Sequence, residues 1–408
     1  YYPDKNREAL LQLLQNMLSD SEDAIRAAGA RYADQADVAA ELRSFLLRWQ
    51  KTAQGQGWAN TESFELVGRL LNWSNAWCVM LLKPAYKLTI GDKIVDTTDE
   101  PQASTVVALV VDLDLAAPAD SFTLTLGQVG GFQPQRDDDA KIELGFEDEL
   151  TQVMVGKVVT ADNGLTTRRV IGHGAARLLL AASATETFLS LTAGQIVERL
   201  AERAAVPVER AEPGITFPAY VIDGRRNLYR HLHDLADFCG FDLYINSAGK
   251  LVFAPFRSGN AIHIFEFGKQ IIELEMEQRP PLAGQVQVFG ESAGGGQGDN
   301  AWAWLTKDFS GLKGTGGDAQ PVLLLEQAVA RTGEAAQSVA EAAFTRLTRQ
   351  RLRGTLLSTG QPKVKLGDAI ELRGLPDAAA NGTFQVRRVR HAIDKTRGFT
   401  TRIGFRSI

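Results

Sequence analysis

Residues 227–256 read NLYRHLHDLADFCGFDLYINSAGKLVFAPF. Leu228, Leu232, Leu235 and Ala236 recur at three- and four-residue spacing, which places them on one face of a helix running from Asn227 to Cys239. Gly240 follows where a helix ends most easily in the left-handed conformation. FDLYI and KLVFAPF come next, flanking the turn residues Asn246-Ser247-Ala248-Gly249, and so read as a hairpin. A helix that stops at Gly-Phe and passes straight into a hairpin predicts an α+β chain. Just upstream, TAGQIVERLAERA opens on Thr192 with Gln195 three residues on, a capping box, and stacks Ile196, Leu200 and Ala204.

Before these helices the period is two. Tyr86, Leu88 and Ile90 alternate with polar neighbours. Val107, Leu109, Val111, Leu113 and Leu115 form an apolar face while Asp112 and Asp114 point away, and Phe122, Leu124 and Leu126 resume the phase after Pro118. Ile142, Leu144 and Phe146 continue it. Residues 153–160 and 166–171 flank Asp162-Asn163-Gly164, a signal for a tight hairpin. Short strands in such succession predict a small barrel or strongly curled sheet, which removes exposed edges.

Downstream, GGGQGD (294–299) and GTGG (314–317) bracket AWAWL, so 293–320 reads as a long mobile loop. A helix is predicted from about Leu325 to Arg351, with Ala336, Val339, Ala340, Ala343 and Leu347 inward. Strands return with Val364/Leu366, Ile370/Leu372, Phe384/Val386 and Phe399/Ile403/Phe405, a second barrel or the completion of an earlier sheet. Residues 5 to about 82 show helical spacing at Leu10, Leu11, Leu14, Met17 and Leu18, and the clustered Trp58, Trp73 and Trp77 suit a small helical core.

The predicted division is therefore a helical N-terminal section at 1–84, a first β-barrel domain at 85–190, a helix-hairpin insert with its Gly-rich loop at 191–320, and a helix with second-barrel strands at 321–408. The fold class is α+β, mainly β, with antiparallel strands and intervening helices preceded by the helical section; the resemblance named below implies that the strands form two related small antiparallel β-barrels.

Composition narrows the function. The 408 residues are 44% hydrophobic and 23% charged, as in folded proteins. No uncharged apolar run is long enough to span a membrane, and Asp4, Lys5, Arg7 and Glu8 break up any signal-peptide core, so a soluble chain is predicted. It begins at Tyr1 without methionine, which predicts a short missing N-terminal piece. Cys78 and Cys239 sit in helical patterns and read as core residues, not a disulfide framework. With 44 basic against 49 acidic side chains and a net charge of -5, no basic stripe offers phosphate neutralisation, so direct nucleic-acid binding is disfavoured. The run from Arg346 to Arg353 reads as a solvated helix end.

Catalytic patterns are wanting. His173, His231, His233, His263 and His391 show no ligand spacing, and His231 and His233, two apart on one helix, diverge: His231 should edge the core and His233 face solvent. There is no Gly-x-Ser-x-Gly elbow and no P-loop. Asp137-Asp138-Asp139 and Glu147-Asp148-Glu149 are candidates for paired glycosidase carboxylates, but consecutive acids usually make a solvated turn. No catalytic, cofactor-binding or metal site is predicted.

From about Tyr86 onward the order of elements resembles the late control protein D family of phages, which includes tail baseplate hubs and the hub portion of type VI secretion spike (VgrG-like) proteins. The resemblance rests on ADSFTLTL (119–126), Val155-Gly156-Lys157-Val158, TAGQIVERLAERAAV, the helix-hairpin segment quoted above and GTFQVRRVRHAIDKTRGFTTRIGF (382–405). It implies a structural hub without an active site, built from two similar barrels per subunit and closing as a homotrimer. Six near-equivalent barrels would then let a three-fold spike meet a six-fold tail tube. The implied partners are the tail tube protein, a spike or tail-tip protein and other baseplate subunits; the implied location is a virion tail or injection particle assembled in the bacterial cytoplasm. The section before Lys83 has no counterpart in the resemblance, and the chain stops after its last strand, which predicts a separate spike subunit. Competing readings are a tail-associated cell-wall hydrolase using Glu147 or Asp148, and a six-fold tail-tube or adaptor protein.

Overall fold

A computed structural model of the chain describes residues 83–98, 105–127, 132–146, 149–257, 261–291, 310–395 and 397–408. The predicted N-terminal helices, their tryptophans and Cys78, Glu147, Asp148 and the GGGQGD run all lie outside the described residues.

The first strand group comprises β1 (Pro84–Ile90), β2 (Lys93–Asp96), β3 (Val106–Asp114), β4 (Ser121–Gly127), β5 (Asp139–Phe146), β6 (Glu149–Asn163) and β7 (Thr167–His173). A helical layer follows: α1 (Ala176–Ala181), β8 (Glu186–Thr192), α2 (Ala193–Arg203), β9 (Val208–Ala211), β10 (Thr216–Ile222), α3 (Leu228–Cys239), β11 (Asp242–Ile245) and β12 (Leu251–Ala254). Next come β13 (Ile262–Glu266), β14 (Ile271–Gln278), β15 (Gln285–Gly290), β16 (Lys313–Gly317), β17 (Val322–Gln327) and α4 (Gly333–Arg349). The chain closes with β18 (Leu352–Thr359), β19 (Ala369–Arg373), β20 (Gly382–Asp394) and β21 (Gly398–Ser407). The fold is mainly β and mainly antiparallel.

The alternation predicts a small barrel or strongly curled sheet, followed by a second barrel or the completion of that sheet; among the described residues the two strand groups form one 13-stranded sheet that does not close. Its order is β14-β18-β21-β20-β3-β4-β7-β6-β5-β1-β2, with β19 beside the start of β20 and β13 beside β19. The length of β20 is the reason. It is 13 residues long; Phe384–Asp394 flank β21 along one side, while on the other side Gly382–Gln385 pair with β19 and Arg388–Asp394 pair with β3. A bulge between Val386 and Arg388 redirects the strand between these partners. Period-two patterning says which face is apolar, not which strands are neighbours.

One hydrophobic core runs under both groups, including Leu88, Phe122 and Leu124 from the first and Val389, Phe399 and Ile403 from the second. Burial strictly alternates along β4, as the sequence predicts. Val107 departs from its predicted inward position and is 39% exposed, because the ladder slips between Val106 and Ala108 and turns Val106 inward in its place.

A second core joins α1, α2, α3 and α4 to the small sheets β8–β10, β9–β12–β11 and β16–β15–β17. The decisive segment folds as its sequence dictates. Asn227 caps α3 by accepting from Arg230 N at 3.0 Å, and Gly240 ends it at φ 67°. The β11–β12 turn is held by Asn246 Oδ1, which accepts from the backbone N–H of Ala248 and of Lys250. The Thr192–Gln195 capping box at α2 is present in both directions. By contrast, the stretch predicted as loop from 293 to 320 contains β16. Gly314 faces α4 so closely that a Cβ there would lie 2.0 Å from the Ala336 carbonyl oxygen. These glycines serve helix-to-strand contact, which in sequence looks like a loop signal. Likewise α4 starts at Gly333, not near Leu325, because Val322–Gln327 pairs in parallel with β15.

Candidate functional site

The candidate chemical groups stay apart. His231 is buried on α3 with Nε2 3.2 Å from the Asp223 carbonyl, and His233 is half-exposed 3.6 Å from Asp237. His263 on β13 contacts Asp368 at 2.8 Å, His173 ends β7, and His391 is buried on β20 against Thr401. Among the described residues no three His, Cys, Asp or Glu side chains converge as metal ligands. Asp138 accepts from Gln135 N at 2.8 Å and Asp139 pairs with Lys157 at 3.0 Å, which is the bonding of a turn. Glu149 pairs with Lys363 at 2.5 Å. Burial pushes the Cys239 thiol up to about 11, and the side chain packs, partly buried, against the second core. The Arg346–Arg353 run ends α4 and is partly neutralised, with Arg346 on Asp237 at 2.5 Å and Arg353 on Glu277 at 2.7 Å.

What the sequence did not reveal is a buried polar joint between the helical layer and the large sheet. Asp242, at the head of β11, accepts from Gln385 and from Arg387 Nη1, both on β20. Arg406 on β21 donates from Nε to Gln385 Oε1 at 2.9 Å and places Nη2 3.7 Å from Asp242. Burial, together with neighbouring Arg387, pulls the Arg406 guanidinium down to about 10 despite the carboxylate. No local signal marks these residues, since the partners are far apart in the chain.

The surface offers open strand edges. In β13, Ala261 O accepts from Ala369 N and Phe267 N donates to Arg373 O, so the odd residues turn their backbone toward β19 and Ile262 and Ile264 direct theirs outward. Both isoleucine side chains are half-exposed. The next outward N–H, at Glu266, is capped by Gln270 Oε1 at 3.0 Å, so among the described residues the edge is guarded there and open at the isoleucines. At the end of the sheet order, β2 pairs, among the described residues, only with β1 and exposes Ile94. A further apolar pair, Leu189 and Val221, lies exposed on the β8–β10 ribbon. Unguarded apolar edges and patches of this kind offer backbone hydrogen bonds and apolar contact to another chain.

Solved structures share this fold. The tail protein from Neisseria meningitidis MC58 superposes with a TM-score of 0.60 at 14% identity, over 80% of this chain and 97% of that one. The 43 kDa tail protein of prophage MuSo2 from Shewanella oneidensis gives 0.59 at 14% identity, over 79% and 98%. An E. coli component of the type VI secretion system, described as structurally similar to the T4 bacteriophage tail proteins gp27 and gp5, gives 0.52 at 11% identity, over 79% and 77%. No protein-family model matches the chain, and no curated protein matches it by sequence.

Proposed function

We propose that this chain is a structural, non-enzymatic subunit of a phage-type tail or contractile injection particle, the central hub that joins the tail tube to the spike as a homotrimer. The observation that carries the reading is the near-complete coverage of two tail proteins, 97% and 98% of their length, by this fold. Two strand groups per chain, united along β20, give a trimer six comparable sheet segments, the number a six-fold tube requires above a three-fold spike. In this reading each group completes its barrel only in the assembly, where the edges at β2 and β13 find partners. The tube, the spike or tail-tip protein and other baseplate subunits dock on the remaining surfaces, and the particle assembles in the bacterial cytoplasm.

The test is the mass of the full chain in solution, by native mass spectrometry or light scattering. Three copies uphold the hub; a stable six-membered ring supports a tube or adaptor protein instead, and a monomer at all concentrations removes the trimeric reading.

A further inference from the structure

The polar joint around Asp242 carries more positive charge than its acids answer. Arg387 Nη1 and Arg406 Nη2 share the Asp242 carboxylate at 2.6 and 3.7 Å. Arg346, in the last turn of α4, pairs with Asp237 near the end of α3. Arg349, the last residue of α4, is half-buried and has no carboxylate partner among the described residues; its guanidinium carbon lies 6.0 Å from the ring centre of Phe256, just past β12. These groups are neighbours. Ser407, next to Arg406, donates from Oγ to Arg349 O at 2.9 Å, and Arg349 and Arg346 both help to pull the Arg406 guanidinium down.

Four guanidinium groups thus face two carboxylates, with His233 3.6 Å from Asp237 beside them. The C-terminal ends of α3 and α4 offset about half a charge each, which leaves an excess of about one positive charge. Arg387 and Arg406 are only 24% and 16% exposed at their side chains, so water screens that excess poorly. One carboxylate answers one charge, whereas a phosphate group, at roughly -1.5 to -2, overshoots it. A nucleic-acid strand needs a row of basic groups, which a chain of net charge -5 without a basic stripe does not present. The unused N–H fork of Arg349 matches a carboxylate through two parallel hydrogen bonds. We propose that Arg349, backed by Arg346, Arg387 and Arg406, binds the carboxylate of a glutamate or aspartate side chain presented by a partner protein. The proposal needs a protein partner but not the hub geometry, so it stands or falls apart from the subunit number.

The experiment adds an acetylated, amidated tetraglutamate peptide to the full chain at fixed ionic strength and follows the arginine Nε–Hε resonances by ¹H–¹⁵N correlation, that of Arg349 being identified by its loss in Arg349→Lys. A saturable shift of this resonance is expected with tetraglutamate and none with the tetraglutamine counterpart. By anisotropy of the fluorescein-labelled peptide, Arg349→Gln should weaken binding about three- to tenfold, the worth of one hydrogen bond. Arg199→Gln, which removes an equal charge from the exposed side of α2, should leave the affinity unchanged. No saturable shift, or an equal shift with tetraglutamine, overturns the proposal. An equal shift with inorganic phosphate makes the cluster a free-anion site, and equal weakening by the two glutamine variants reduces the binding to diffuse charge; either result overturns it as well. The peptide and phosphate comparisons use the unaltered chain, so they decide the matter even where Arg349→Gln fails to fold.

Discussion

The Asp242 carboxylate on β11 accepts a hydrogen bond from Arg387 on β20 at 2.6 Å, across 145 residues of chain. With Gln385 and Arg406 it forms the one buried ionic joint, among the described residues, between the helical layer and the large sheet.

Removing the acid strands two partly buried guanidinium groups. Asp242→Ala should cost about 3–5 kcal/mol in urea unfolding, the usual effect of leaving a buried charge unpaired. Asp242→Asn keeps hydrogen-bonding capacity and should cost less. A loss below about 1 kcal/mol for the alanine variant would mean that apolar contact alone holds the layers together.

Gly314→Ala forces a Cβ against the Ala336 carbonyl and should destabilise by about 1–3 kcal/mol as strand and helix separate. Gly311→Ala, where a Cβ meets nothing within 4 Å, should leave the melting temperature unchanged. Equal behaviour of the two would restore the loop reading of this stretch.

Stability should depend weakly on pH between about 4 and 6.5, because two buried groups oppose each other. Burial holds His391 neutral down to about 3, so the unfolded chain takes up its proton first and stability is lost as pH falls below about 6.5. Burial, with Asp114 and Asp112 adding to it, pushes the Asp120 carboxyl up to about 7, so the folded chain holds that proton and stability is lost as pH rises from about 4 to 7. Asp120→Asn removes the second effect. Its unfolding free energy should rise with pH more steeply than the parent's, by up to about 1.4 kcal/mol per pH unit, as read from urea titrations at several pH values. Parallel curves would show that Asp120 ionises normally.

Ile264→Lys puts a charge on the open edge of β13. The expected result is a shift from trimer to monomer in sedimentation with the same circular dichroism spectrum; an undisturbed trimer would place the subunit contact elsewhere, the Leu189–Val221 patch being next to examine.

Peptidoglycan zymograms of the full chain should show no clearing. Clearing that disappears in Glu147→Gln or Asp148→Asn would convert the hub into a hydrolase.

Elements governed by neighbouring residues were legible in the sequence. Gly240, Asn246 and the Thr192–Gln195 box act within a few positions, and α3, its hairpin and α2 appear where the residues put them. Strand partnership was not, because it depends on where β20 bends and on how its two halves find β19 and β3. The small β15–β17 sheet was hidden for another reason: its glycines answer to a helix that arrives later in the chain. The buried joint shares this limit: Asp242, Gln385 and Arg406 carry no mutual spacing, and only folding brings them together.

The placement of β20 has a consequence for biogenesis. Asp112 on β3 pairs with Arg388 on β20, 276 residues downstream, so the flank of β3 away from β4 stays bare until β20 has been translated. Closing so long a loop is slow, and a naked apolar strand is sticky while it waits. Cells that make this protein in quantity therefore face a kinetic hazard early in synthesis, one that holdase chaperones would relieve and that truncation before Gly382 would make permanent.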